Sequence, residues 1–381
     1  MSWEMVKLGD IATYINGCAF KPSDWSKSGL PIIRIQNLTN QDADYNYFDG
    51  KYKSQYEINN GEILISWSAT LGVFKWNKGK ALLNQHIFKV IFDKKNIDKN
   101  YFVYVVNSEL QNLIGNTHGS TMKHITKNRF ENHLIPLPPL ETQKKIVNIL
   151  DKAQELINKR KQQIDLMDSL VQSLFYDMFG DLQFNHKKIP LKPLETLTSK
   201  ITDGVHQKPT YYNVGIPFIS VKDIISGKIV FDNCKFISKE AHSKYINRCK
   251  PEKGDILYTK VGARYGRPAI VETNNDFSIY VSLALIKPIN NLINSIYLQE
   301  ALKTEYVYRQ AFNSIKGIGV PDLHLKEIKK FQIPVPPLNT QTQFAEKVEK
   351  IETQKQKMQN SLKDLEQNFS SLMQRAFKGE I

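Results

Sequence analysis

IPLPPLETQKKI (135–146) returns as IPVPPLNTQTQF (333–344), an offset of 198 (333 minus 135) that stays constant as far as similarity can be followed. Pro136, Pro138 and Pro139 cannot lie inside a helix, so this joint predicts an extended arm that opens a helix at Glu141 or Thr142. In the second copy Pro334, Pro336 and Pro337 do the same, with Asn339 or Thr340 as the expected cap. Behind the first joint, apolar positions step by four and three through Ile146, Leu150, Ala153, Ile157, Arg160, Ile164, Met167, Val171, Leu174 and Met178. The second copy repeats the steps through Phe344, Val348, Ile351, Lys355, Met358, Leu362, Leu365, Phe369, Leu372 and Ala376. Such spacing keeps a narrow apolar seam on one side of a helix, which calls for a coiled-coil partner. Each helix is expected to run for roughly 40 residues, about 60 Å of rod, ending near FGD (179–181) and FKGEI (377–381). Two rods in one chain are expected to pair antiparallel, with Arg160 and Lys355 interrupting the seams and setting register.

Outward from the rods, each is preceded by a block with the composition of a globular domain. The expected division is 1–139 and 182–337 for the blocks, 140–181 and 338–381 for the rods, an internal repeat with an approximate two-fold axis. With 381 residues, 41% of them hydrophobic, the chain can bury real cores. Its start, MSWEMVKLGD, carries no apolar signal segment, and no stretch approaches the roughly 20 apolar residues needed to span a bilayer. The expectation is a cytoplasmic protein without a membrane partner. Cys18, Cys234 and Cys249 have no metal-type spacing and read as plain thiols. The net charge is +14, and none of the excess is in the rods: Lys+Arg against Asp+Glu is 6 to 7 in the first and 7 to 6 in the second, while the blocks carry +4 and +10. Basic blocks beside neutral rods suit a polyanion on the blocks and protein on the rods, although a basic surface serves solubility equally well.

Both blocks read as mixed α/β (α+β). LPIIRI (30–35), GEILIS (61–66), GVFKW (72–76) and HIFKVIF (86–92) are β-rich runs bounded by turn residues, followed by a helix over 101–114. IPFISV (216–221), GDILYT (254–259) and VSLALI (281–286) match three of them in order, and 296–312 takes the helix position. The frame repeats while the loops differ, as expected of one scaffold presenting two recognition surfaces.

KLGDI near the start, IPLPPLETQKKIV, SLFYDMFGD, the second proline joint and SLMQRAFKGEI together resemble the specificity subunit of type I restriction-modification systems, over the full length. The resemblance implies two target-recognition domains, each reading half of a split double-stranded DNA site, held apart by helices that dock methyltransferase subunits, two of them, with restriction/translocase subunits joining indirectly. It implies no catalytic residues and no cofactor in this chain. S-adenosylmethionine, ATP and Mg²⁺ would sit on the partner subunits.

The residues agree with that absence of chemistry. There is no G-x-x-x-x-G-K-[ST] loop, no H-E-x-x-H helix, no G-x-S-x-G elbow and no N-P-P-[YF] motif for a flipped adenine. In PDLHLKEIKK, Pro321, Asp322, Glu327 and Lys329 mimic a nuclease signature, but the spacer is four residues and copy one has Arg129 where Glu327 stands. A metal-dependent nuclease needs two carboxylates converging on one ion. The run therefore reads as a surface turn.

For DNA contacts the expectation falls on loops mixing basic, aromatic and small residues. In KVGARYGRP, Lys260, Arg264, Tyr265 and Arg267 stand among Gly262 and Gly266, as if on a flexible turn. Lys316 in SIKGIG, and Lys208 with Tyr211 in HQKPTYY, come next. In the first block the candidates are His118, Ser120 and Lys123 in NTHGSTMKH and Trp67, Ser68 and Thr70 in WSATLG, with Lys21 and Trp25 on the flank. The competing reading of each is a solvated hairpin, a core Trp or a structural His. Two other classes compete for the whole chain: a stand-alone nuclease or methyltransferase, and a scaffold binding nucleic acid or protein without sequence preference.

Overall fold

The computed structural model describes residues 3–40, 42–114, 125–315 and 320–381. Two helices, Leu140–Phe179 and Leu338–Lys378, span 40 and 41 residues. The chain divides into two compact units, Met1–Lys161 with Asn360–Ile381, and Gln162–Gln359, so each long helix gives one part to each unit.

Both helices start slightly earlier than the side-chain caps suggested. The carbonyl of Pro139 accepts from the N–H of Thr142 and Gln143, and that of Pro337 from Thr340 and Gln341. A proline lacks an N–H but keeps its carbonyl, so it serves as the first acceptor and an Asn or Thr side-chain oxygen is not needed. All ten seam positions of each helix are buried or half-buried. Gly180 (φ 77°) and Gly379 (φ 80°) end the helices in the left-handed region that a side chain resists.

In the first unit the strands are β1 (Met5–Lys7), β2 (Thr13–Asn16), β3 (Leu30–Ile33), β4 (Asn46–Phe48) and β5 (Glu57–Ile58). They continue with β6 (Ile63–Ser66), β7 (Gly72–Lys75), β8 (Ala81–Leu83), β9 (Ile87–Ile91) and β10 (Leu134–Pro136). One sheet is antiparallel in the order β2-β9-β6-β7; the other, β4-β3-β8-β5, is mixed, with β3 parallel to β8. Every residue of β6 is buried because its sheet is covered on both faces. Ile63, Ile65, Phe88 and Val90 face a core shared with Phe102 and Val105 of the helix Lys99–Ile114, and Leu64 and Ile87 face Ile33, Ile58 and Leu83 of the second sheet. LPIIRI is thus a strand only to Ile33, followed by a short helix, Ile35–Thr39.

In the second unit the strands are β11 (Leu191–Pro193), β12 (Thr198–Asp203), β13 (Ile216–Ile219), β14 (Ile224–Ile225) and β15 (Lys228–Ile229). Then come β16 (Lys235–Ile237), β17 (Ile256–Thr259), β18 (Pro268–Ile270), β19 (Ser278–Ile279), β20 (Leu283–Pro288) and β21 (Gln332–Pro334). The order β12-β20-β17-β18 repeats the antiparallel sheet, and β16-β13-β19 repeats three of the four strands of the mixed one, with β13 parallel to β19. The single helix expected over 296–312 is two, Ser295–Lys303 and Glu305–Ser314. Thr304 breaks it by turning extended and capping the second piece, its hydroxyl accepting from the Val307 N–H.

Each joint is fixed by the same bonds. β1 pairs with β10 and β11 with β21, so the strand entering a block lies beside the strand leaving it. Tyr101 Oη donates to the Pro136 carbonyl (2.8 Å) and Tyr297 Oη to that of Pro334 (2.7 Å). Gln143 and Gln341, 1% and 0% exposed, each clamp arm to block. Gln143 Nε2 donates to the Pro138 carbonyl while its Oε1 accepts from the Asp98 N–H; Gln341 does the same with Pro336 and Asn294, all at 2.8 Å. In the first unit Ile146, Val147 and Leu150 pack with Ala376, Phe369 and Leu372 of the other helix. In the second, Phe175 and Phe179 meet Tyr297 and Phe344 with centroids 4.8–5.7 Å apart, pairs that add about 0.5–1.5 kcal/mol each beyond area burial. There Lys355, a seam residue, pairs with Asp168 on the facing helix.

Candidate nucleic-acid interface

In both blocks the first strand of the antiparallel sheet ends at a glycine pressed against backbone. A Cβ on Gly204 would stand 2.1 Å from the Ile279 carbonyl oxygen, and one on Gly17 2.2 Å from those of Leu83 and Asn84. This closeness lets the chain step from one sheet to the other. Gly204 and Val205 donate to Leu283 and Ile279 (3.3 and 3.0 Å), as Gly17 and Cys18 donate to Ile87 and Leu83 (3.2 and 2.8 Å). Four residues after each glycine stands an exposed lysine followed by proline, Lys21-Pro22 and Lys208-Pro209. Two expected contacts, Lys21 and Lys208, are therefore equivalents in the repeat.

A second equivalence follows β6 and β17. The Trp67 carbonyl accepts from Ile125 (3.0 Å) and that of Lys260 from Leu323 (2.9 Å). Trp67 is half-buried, its ring centroid 5.4 Å from His86 and 5.8 Å from Phe88. Ser68 is half-buried and Thr70 exposed on the same turn, where Ala69 takes φ 56°.

Lys260 and Tyr265, expected on the surface, are inside. Lys260 is 6% exposed, its Nζ 3.6 Å from Asp203 Oδ2 and 3.7 Å from Asp322 Oδ1, and these carboxylates compensate the charge that burial would otherwise leave alone. Tyr265 lies parallel to Tyr308 at 5.6 Å and accepts a hydrogen bond from its hydroxyl. Burial, then that hydroxyl, push the Tyr265 phenol up to about 12. Arg264 and Arg267 are exposed, but the turn is not loose: Thr259 Oγ1 donates to the Arg264 carbonyl (2.6 Å) and accepts from the Arg267 N–H (2.9 Å).

Tyr211 is half-buried, with Lys235 Nζ 4.1 Å from its ring centroid. Trp25 is exposed beneath the Arg34 guanidinium, 5.6 Å away. His118, Ser120, Lys123 and Lys316 lie outside the described residues. The nuclease mimic is a pair of structural contacts. Asp322 faces Lys260 and Glu327 pairs with Lys330. Cys249 is buried, which pushes its thiol up to about 12 and keeps it protonated at neutral pH.

Sequence reasoning missed a cluster in the second block. Asp203, buried at the end of β12, holds the guanidinium of Arg248 and lies 3.2 Å from His206 Nε2. These three residues and Lys260 line an open cleft of about 690 Å³ with Asp322, His324 and Lys326. The available signal was the match of NGCAFKP (16–22) to DGVHQKP (203–209), which marks the crossing; nothing local marks Arg248.

A family model for the type I restriction modification DNA specificity domain matches residues 1–166 and again 197–367, once over each block and most of each helix. The chain belongs to that family. It is a noncatalytic DNA-recognition subunit of a type I restriction-modification system. The specificity subunit of the type I restriction enzyme EcoBI from Escherichia coli is 26% identical over 414 residues, covering 100% of this chain and 86% of that protein. That of MjaVIII from Methanocaldococcus jannaschii is 22% identical over 399 residues, 100% and 93% of the two chains. Among solved structures, a chain from work on complex assembly and conformational transition of the type I R-M system aligns with a TM-score of 0.63 at 17% identity, covering 100% and 98%. The S subunit from M. genitalium aligns at 0.51 and 16%, covering 99% and 96%. At these identities the structural likeness establishes the fold: two mixed α/β regions with long helices.

Proposed function

We propose that this specificity subunit reads a bipartite, asymmetric DNA target, one half-site per block, with residues 1–139 and 182–337 as the target-recognition domains and 140–181 and 338–381 as the spacer. The observation that carries the reading is the pairing of a repeated frame with unlike contact positions. Both blocks have the same strand order in the antiparallel sheet and the same glycine crossing, yet Trp67 stands where the other block has Lys260. Equal scaffolds with unequal loops recognise different half-sites. Lys21, Lys208, Arg264 and Arg267, all exposed, are the foremost contacts in this reading, with Tyr211, Trp67 and Trp25 at the edges. Lys260 and Tyr265 act from beneath, by fixing the turn.

The partners that follow are double-stranded DNA and two methyltransferase subunits, with restriction/translocase subunits joining through them, in the cytoplasm. S-adenosylmethionine, ATP and Mg²⁺ would be held by those partners. Leu166 and Leu170 are exposed on the first long helix among its charged residues, a mixed face suited to protein docking. Among the described residues no helix is long and apolar enough to cross a membrane.

The test is to express the chain with its methyltransferase in a host lacking adenine methylation and map the methylated adenines. The expected result is one split motif with an unread gap. Replacing residues 182–337 by the block of another family member changes one half of that motif and leaves the other. Methylation without a motif, or both halves changing together, contradicts the reading.

A further inference from the structure

We infer that the cleft beside Asp203 holds one backbone phosphate of the DNA, with Arg248 as its principal donor and Asp203 as the residue that positions Arg248. The inference rests on the DNA-reading function proposed above and assigns it a contact outside the loops that sequence reasoning selected.

Arg248 is held at both ends. Its backbone N–H donates to the Tyr245 carbonyl (3.2 Å) just past the helix Lys239–Ile246, and its own carbonyl accepts from Lys200 Nζ (2.6 Å). At the tip, one Nη2 donates to the carboxylate of Asp203, itself 4% exposed. The same Nη2 lies 3.4 Å from His206 Nε2, and the other nitrogens of the guanidinium face the cleft, the side chain being 58% exposed. A guanidinium has five N–H donors, so most remain for a ligand in the cleft. Fixing a long side chain beforehand removes the ordering cost that an unrestrained arginine would carry on binding.

The charges around the cleft leave one positive unit. Arg248, Lys260 and Lys326 face Asp203 and Asp322, three cations against two carboxylates. A phosphodiester carries a single negative charge, which matches the remainder. Geometry favours phosphate over a base edge. The cations come from three separate segments, at residues 248, 260 and 326, and two of them are ammonium groups. Ammonium groups act as point charges that suit a phosphate, whereas reading a base edge calls for a coplanar bidentate pair. Lys208, exposed two residues beyond His206, places the cleft beside an expected DNA contact.

The test uses the full chain assembled with its methyltransferase subunits and a random-sequence duplex, with affinity measured against salt concentration. Arg248→Gln and, separately, Lys326→Gln each lower the magnitude of the log–log slope by about one, because one phosphate contact is lost. Arg248→Lys keeps the charge and retains the slope. The methylated motif stays that of the unsubstituted complex in all three. An unchanged slope in both glutamine variants overturns the assignment, as does a motif relaxed at one base with the slope intact. An unsubstituted complex that binds no DNA, or methylates no split motif, defeats instead the reading on which the assignment rests.

Discussion

Gln143 and Gln341 show how much structural weight an inconspicuous residue can carry. Each is buried, and each satisfies a proline carbonyl and the first amide of the region that starts a block helix. The proline arms have few backbone donors of their own, so their carbonyls depend on side chains from outside. Gln143→Ala or Gln341→Ala leaves a buried proline carbonyl unpaired, at about 1–3 kcal/mol, together with a part-buried N–H. Urea unfolding should therefore show a clear fall in midpoint, and an unchanged midpoint in either variant contradicts the clamp. Gly204→Ala is expected to be worse tolerated than an ordinary glycine change, since its Cβ would overlap a carbonyl oxygen; the yield of folded protein checks it. In sequence, ETQ and NTQ look like exposed helix starts, and Lys260 looks like a surface lysine. Their partners are 45 and 5 residues away for Gln143, and 57 away for Lys260 at Asp203, so no local pattern shows them.

At the scale of elements the legible parts are those whose signal is periodic. Three prolines and a four-three seam are read within a few residues, and both long helices appear where that pattern places them. The continuous apolar runs GEILIS and GDILYT are legible for a related reason: a strand covered on both faces needs no polar alternation. β2 and β12 were missed because their exposed positions are polar, and the two-helix form of 295–314 because Thr304 interrupts no apolar spacing. The buried elements also set a pH limit. Burial holds the phenols of Tyr14, Tyr101, Tyr258 and Tyr297 above their ordinary range, with Glu131 adding to it at Tyr14. A phenol whose folded value is raised stabilises the fold while it stays protonated in both states. That contribution is present below about pH 10 and is lost as pH rises beyond it, when the unfolded chain ionises first. Thermal unfolding temperature should then fall steeply above about pH 10, and a flat profile to pH 12 contradicts it.

For the molecule as a whole, charge and repeat were the informative features. The excess of +4 and +10 in the blocks, against near-neutral rods, is visible without any structure. What could not be read was where along the helices the chain divides, because a uniform seam has no landmark at residues 161 and 360. In the proposed function the helices set the unread gap of the target. Inserting four residues, about 6 Å of helix, at facing seam positions of both helices should lengthen that gap by about two base pairs at 3.4 Å each while both half-sites stay the same. Methylation mapping of the insertion variant checks this, and an unchanged gap contradicts it.

Residues 1–161 complete their core only with residues 360–381, where Ala376 is enclosed and its carbonyl accepts the indole N–H of Trp3. On the ribosome this block consequently closes only after residues 182–337 have been synthesised. Until residues 376 and 377 are translated, the apolar surface awaiting Ala376 and Phe377 stays open to chaperones and proteases. A nonsense mutation ahead of codon 376 would therefore also strike the block within residues 1–161.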